Sequence, residues 1–347
     1  MILKRSLVAA ACGWCLTMLP LTAQAGYTAL YTFGDSLSDA GNIFLATGGA
    51  QPAPPYVAGR FTNGGTAIDD LSVSLGLGTP LPSLAGSNDF AFGGAQTGFA
   101  GIPGPASGIP SIVQQVGLFG AAHGGLAPSG ALYSVWIGGN DIRHLVADGL
   151  IPATLTLSRA LTAAQGAAAV EAGAVQALAG AGARHFLVPL VPDVGKTPES
   201  AATGAALAAA ASLLAQTYNT ALTADVAALA AGLGLDVTFV DIFSFLDQFV
   251  ANPGGFGFTN ATDACYTGPF TGGGAACATP GQYVFWDAFH PTAAASAEVA
   301  ALAARDVPEP GTFALLGAAA AAVIAARRRV RQFHSQGSRD CAIGGMC

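Results

Sequence analysis

Basic residues are scarce in this chain. Only 13 of its 347 residues are Lys or Arg, and seven of those lie in the two end segments. Between 26 and 306 there are 6 basic residues against 18 acidic ones, a net charge of −12. A stretch that acidic has no electrostatic footprint for a phosphate backbone, which excludes nucleic-acid partners. Cysteine is also sparse. Of six in all, two lie near each end and two, Cys265 and Cys277, lie in the middle. No second Cys or His pair stands near them, so zinc-ligand spacing is missing. Long uninterrupted apolar runs are few. The apolar fraction is 52%, but the excess is mostly alanine interspersed with 47 glycines. That pattern predicts alanine-rich helices and glycine-rich loops, not a bundle of membrane spans. No internal repeat is visible.

The ends have their own chemistry. Residues 1–25 begin with Lys4 and Arg5, continue through an apolar stretch and close on Ala23-Gln24-Ala25. Basic start, apolar core and small-x-small site in that order predict a secretory signal peptide cut after Ala25. Near the other end, Val307-Pro308-Glu309-Pro310 precedes an apolar run at 313–326 and then Arg327, Arg328, Arg329 and Arg331. The run has 14 residues, short against the ~20 of an ordinary span, and the arginines would stay cytoplasmic. The stretch resembles the PEP-CTERM sorting signal of exopolysaccharide-producing Gram-negative bacteria. The resemblance implies processing by an exosortase-type enzyme, transient inner-membrane contact through the apolar helix, and delivery to the periplasm, the cell surface or beyond. Such signals usually stop near the arginines, whereas this chain continues from 332 to 347. The expected organisation is therefore signal peptide 1–25, one domain 26–306, sorting signal 307–331 and a tail of unknown role. Export brings the domain into an oxidising compartment, so Cys265 and Cys277, which flank a glycine-rich loop, are expected to pair.

Within 26–306, five short β-prone runs stand out, at 27–33, 89–92, 132–137, 185–191 and 236–242. Their near-continuous apolar character suits strands buried on both faces. Helical stretches lie between most of them, at 66–77, 111–122, 157–179 and 199–231, and a last one lies at 292–304. Ser111 and Gln114 have capping-box spacing. Alternating strands and helices imply right-handed crossovers and a parallel sheet covered on both faces. In such a sheet the loops after strand C-termini build the site. Ser36 follows the first run, Gly93 and Gly94 the second, and Gly138-Gly139-Asn140-Asp141 the third. The loop ahead of the last helix adds Asp287 and His290.

A serine hydroxyl needs a base to take its proton, and the base needs a group to orient it. Four histidines lie between 26 and 306. His185 opens a strand and reads as structural. His123 has no obvious carboxylate. His144 has Asp141 three residues earlier and remains a weaker competitor. His290 has Asp287 three residues earlier, on the same face of a turn or helix. An oxyanion needs preorganised donors, and the Ser36 N–H, the Gly94 N–H and the Asn140 side-chain amide are the candidates, with Gly93 the alternative to Gly94. Asp35 and Asp39 are expected to hold the turn. Arg60 is expected to anchor its loop and Asp141 to be structural, with Trp136 and Trp286 packing near the site. Residues 245–258 read as a lid, a substrate wall or a plain ordered loop.

These residues stand in a recognisable order: FGDSLSDAGN (33–42), DFAFGGAQT (89–97), WIGGNDI (136–142) and WDAFHPT (286–292). They resemble the four blocks of the GDSL, or SGNH, lipase and esterase family. GRFTNG (59–64), VPDVGKTP (191–198) and YNTAL (218–222) are similar to accessory motifs of its lecithinase/haemolysin-like branch. The resemblance spans about 27–305. It implies a three-layer α/β/α, flavodoxin-like fold with a five-stranded parallel sheet, and no metal or organic cofactor. It also implies Ser36 as nucleophile, Asp287 and His290 as its partners, and Ser36, Gly94 and Asn140 as the oxyanion hole. The expected substrate is an ester, whether lipid, small ester or acylated polysaccharide, and Phe256 and Phe258 are candidates to line an acyl groove. The G-x-S-x-G elbow of the α/β-hydrolases is absent. Two rivals stand beside this reading: an exopolysaccharide O-deacetylase of the same fold, and a catalytically silent surface-binding protein.

Overall fold

The structure, a computed structural model, describes residues 26–104, 108–146 and 156–307. The expected signal peptide, sorting helix and tail lie outside the described residues. Among the described residues no helix is long and apolar enough to cross a membrane.

The scaffold is a parallel sheet in the order β1 (Leu30–Gly34), β2 (Leu132–Trp136), β3 (His185–Pro189) and β4 (Asp236–Val240). The strand period of two divides the side chains between two cores. Tyr31, Phe33, Tyr133, Val135, Phe186 and Val188 enter one, with α3 (Ile112–Ala122), α5 (Leu157–Ala181) and α7 (Ala205–Leu233). Leu30, Leu132, Trp136 and Leu187 enter the other, with α2 (Ala67–Ser74) and α9 (Ala293–Asp306). Three layers, α/β/α, result from that division. Alanine is the commonest buried residue of α5, and small side chains let it lie directly against α7. The remaining α-helices among the described residues are α1 (Asn42–Ala46), α4 (Gly139–Val146), α6 (Pro198–Ala202) and α8 (Ile242–Ala251).

Among the described residues the sheet has four strands where five were expected. Residues 88–92 do run beside β1: Thr32 N–H donates to Asn88 O, Phe90 N–H to Thr32 O and Phe92 N–H to Gly34 O. The ladder stops because Gln115 interrupts it. Its side-chain amide accepts from Gly34 N–H at 2.8 Å and donates to Gly34 O at 2.8 Å. A side chain thus takes the place of the neighbouring backbone, and only the Thr32–Asp89 bridge remains. The helix expected over 199–231 is also divided. Gly204 has φ +96°, which an α-helix excludes, so α6 ends and α7 starts afresh.

A smaller unit of strands packs against α8 and α9. β5 (Asn260–Ala264) pairs with β8 (Tyr283–Phe285), and β6 (Tyr266–Thr267) with β7 (Ala275–Ala276). Cys265 and Cys277 are joined by a disulfide at the base of the β6–β7 hairpin. The hairpin lies against the segment carrying Asp287: Cys265 N–H donates to Phe285 O at 3.1 Å and Tyr266 N–H to Trp286 O at 2.5 Å.

Candidate active site

Ser36 sits on a turn directly after β1. Asp35 C=O accepts from the amides of Ser38 (3.1 Å) and Asp39 (3.0 Å), which closes the turn. Asp39 then fixes the next few residues. Its carboxylate accepts amides from Gly41, Asn42, Ile43 and Gly93 at 2.5–3.2 Å. Asp89 accepts from the amides of Ala40 (2.8 Å) and Ala91 (2.7 Å). Asn42 donates to the carbonyls of Asp89 and Ala91. The segments around 36 and 93 are therefore stitched by buried polar groups. Such groups are costly unless fully bonded, and once bonded they are rigid.

Asp287 and His290 share the loop between β8 and α9. Asp287 Oδ1 accepts the amides of Phe289 (3.0 Å) and His290 (2.8 Å), so the carboxylate shapes its own turn. Its Oδ2 lies 2.7 Å from His290 Nδ1, and His290 Nε2 lies 2.7 Å from Ser36 Oγ. That contact joins residues 254 positions apart. Ser36, Asp287 and His290 are all buried. Burial opposes charge on Asp287, but the charge of His290, its hydrogen bond and the two amides outweigh it. They hold Asp287 below the ordinary carboxylate value.

Asn140, in the first turn of α4, reaches the same pocket as Asp35, Ser36, Arg143 and His290. Its Nδ2 donates to Ala95 O at 3.0 Å, and its Oδ1 accepts from Arg143 Nη1 at 2.8 Å. One Nδ2–H is thereby left over. Arg143 is itself held by Glu199 (2.6 and 2.7 Å) and lies 3.5 Å over the Phe289 ring. Gly93 N–H is taken by Asp39, whereas the amides of Ser36 and Gly94 have no hydrogen-bond partner among the described residues. Gly94 has φ +80°, and a Cβ there would come within 2.9 Å of Ile109, so only glycine suits the position.

An apolar cavity adjoins this pocket. Leu37, Pro192, Thr197 and Phe289 line both, and Phe245, Phe249 and Phe285 line the cavity alone. The Phe pair expected to line a groove, Phe256 and Phe258, packs instead behind Phe249, at 4.7 and 5.3 Å between ring centroids. The wall comes from α8, earlier in the 245–258 stretch.

Other expected residues have structural partners. Arg60 pairs with Asp69 at 2.6 Å beneath its loop. Asp141 accepts the amide and hydroxyl of Thr97. His185 meets Asp236 on neighbouring strands, and His123 stacks on Phe119. His144 lies on α4 and does not line the pocket. Trp136 lines the apolar cavity, and Trp286 stacks on Tyr266. Among the described residues no cluster of His, Cys, Asp and Glu could hold a metal ion.

The site carries a pH signature in stability. Burial pushes Asp35, Asp39 and Asp141 up to about 6, from 3.8, outweighing the hydrogen bonds that favour their charged forms. Between those values the folded protein holds protons that the unfolded chain has lost. The contribution to stability is therefore full below about pH 4 and is lost as pH rises through 6. Asp287 works in a separate window, below its unfolded value. The melting temperature of the domain should be higher at pH 5 than at pH 7. Calorimetry showing no change, or a rise toward pH 7, would refute this assignment.

A family model described as GDSL-like lipase/acylhydrolase matches residues 30–303, and a PEP-CTERM protein-sorting motif matches 306–329. The chain is 28% identical to a GDSL esterase/lipase of Arabidopsis thaliana, covering 83% of this chain and 92% of that protein. It is 29% identical to Esterase EstA of Pseudomonas aeruginosa, covering 83% of this chain and 48% of that protein. The chain thus spans about half of that relative's length. An extracellular lipase from Streptomyces rimosus aligns with a TM-score of 0.44 at 18% identity, over 81% of this chain and 100% of that one. The sorting motif indicates export from the cytoplasm.

Proposed function

The chain belongs to the GDSL-like lipase/acylhydrolase family and is a carboxylic ester hydrolase, and we propose that it cleaves its substrate through Ser36, His290 and Asp287 by way of an acyl-enzyme. The observation that carries this reading is the continuous chain of contacts from Ser36 Oγ to His290 to Asp287, each 2.7 Å. Ser36 Oγ attacks the acyl carbon and passes its proton to His290 Nε2. The carbonyl oxygen becomes an oxyanion against the amides of Ser36 and Gly94 and the spare Nδ2–H of Asn140. As the intermediate collapses, the carbon–oxygen bond to the alcohol breaks and His290 protonates the leaving oxygen. Water then attacks the acyl carbon, gives one proton to His290, and releases the acid as Ser36 Oγ recovers that proton. Asp287, held ionised, keeps Nδ1–H bonded and steadies the imidazolium in both halves.

The apolar cavity favours esters whose acyl part is longer than acetyl. Its phenylalanine wall would bury methylenes, each worth about 0.8 kcal/mol. The ester is processed outside the cytoplasm, and an exosortase-type enzyme acts on the sorting signal, which holds the chain to the inner membrane only transiently.

A fluorophosphonate that labels serine hydrolases tests the chemistry. One equivalent should attach, and peptide mass spectrometry should place it on Ser36; attachment elsewhere overturns the mechanism. A p-nitrophenyl ester series tests the acyl reading. Turnover should climb from acetate as the chain lengthens. Best activity on acetate, together with release of acetate from an acetylated polysaccharide, would instead favour the deacetylase.

A further inference from the structure

Tyr56 lies 231 residues before Asp287, yet its hydroxyl donates to Asp287 Oδ2 at 2.7 Å. That oxygen also faces His290 Nδ1. With the two amides on Oδ1, both carboxylate oxygens are bonded, and among the described residues Tyr56 brings the one donor that comes from outside its own loop. We propose that Tyr56 is a positioning residue for catalysis: its hydroxyl fixes the Asp287 carboxylate in the orientation that aims His290 at Ser36. The inference rests on the mechanism proposed above.

Three observations support the assignment. Tyr56 is 3% exposed, so water cannot take over the hydrogen bond. Its ring is held edge-on by Tyr266, Phe270 and Trp286, with centroids 5.3, 5.6 and 6.1 Å away. Tyr266 belongs to the disulfide hairpin and Trp286 to the segment leading into Asp287 that the hairpin backs, so the donor and the carboxylate share one support. The hydroxyl also stays protonated. Burial first, and then the Asp287 charge, push it far above the ordinary phenol value. A packing role alone would be served by phenylalanine, and no polar atom would need to reach the carboxylate.

The test is Tyr56→Phe in the full protein, beside Asp287→Asn, the double variant and Ser36→Ala. The ring contacts survive in Tyr56→Phe, and near-UV circular dichroism checks that they do. A hydrogen bond to a charged group is worth about a factor of ten or more. We expect kcat for a p-nitrophenyl ester to fall about tenfold, with KM within about twofold. In the Asp287→Asn background the same replacement should change kcat by less than about twofold, because the group it acts through has lost its charge. Unchanged kcat in Tyr56→Phe, or an equal loss in both backgrounds, overturns the inference. If Ser36→Ala keeps its activity, the underlying mechanism fails; if Ser36→Ala is inactive while Tyr56→Phe is normal, the Tyr56 inference fails by itself.

Discussion

Replacing Ser36 with alanine should lower kcat on the order of a million-fold, because triad members act as a unit. The structure makes this a clean substitution. Ser36 Oγ has its only hydrogen bond among the described residues with His290. The turn that carries it is closed by the Asp35 carbonyl and by Asp39, not by the serine side chain. Alanine therefore keeps the backbone, the pocket and the Asp287–His290 pair. Its melting temperature should match the parent's, so the loss reads as chemistry and not as unfolding. The small remaining rate would come from the oxyanion donors and His290 acting on water. Steady-state hydrolysis of a p-nitrophenyl ester, with thermal unfolding as control, measures both. A variant that kept a tenth of the parent rate would mean that water, activated by His290 directly, is the nucleophile.

Much of this site is legible in the sequence because its parts are local. Asp287 and His290 are three apart, and the turn joining them is made by the aspartate's own bonds to the next amides. Ser36 and Asn140 follow strands whose apolar runs are visible in the sequence. Parallel strands then bring their C-terminal ends together at one edge. The parts that cannot be read are those where distant residues choose each other. Nothing near Gln115 signals that its amide will replace a strand beside Gly34, 81 positions away. Arg143 and Glu199 meet across 56 positions, and Tyr56 meets Asp287 across 231. For the cavity wall the sequence offers Phe256 and Phe258, but helical periodicity offers Phe245 and Phe249 equally. Which aromatic pair faces the site depends on how α8 docks, and α8 docks by burying Ile242, Leu246 and Phe249.

Asn140→Ala should show how the oxyanion is held. The Asn140 side chain is committed at two points, Oδ1 to Arg143 and one Nδ2–H to Ala95 O. Those bonds turn the amide so that its remaining proton has one direction open to it. Arg143 cannot swing away without leaving Glu199 and the Phe289 ring. The donor is therefore set before substrate arrives, and no reorganisation is needed as charge develops. That is the condition under which one donor is worth about 100- to 1000-fold in kcat. Asn140→Ala should lose that much while KM changes little, since a ground-state carbonyl binds the donor only weakly. Asn140→Asp should lose more. It keeps the Arg143 contact but offers the developing oxyanion a carboxylate in place of an N–H. The order parent, alanine, aspartate follows only if the amide proton acts on the oxyanion. If both variants lost the same activity, Asn140 would matter as a brace on the Ala95 carbonyl, the contact that both variants give up. If alanine lost less than about fivefold, the amides of Ser36 and Gly94 would be stabilising the charge without it.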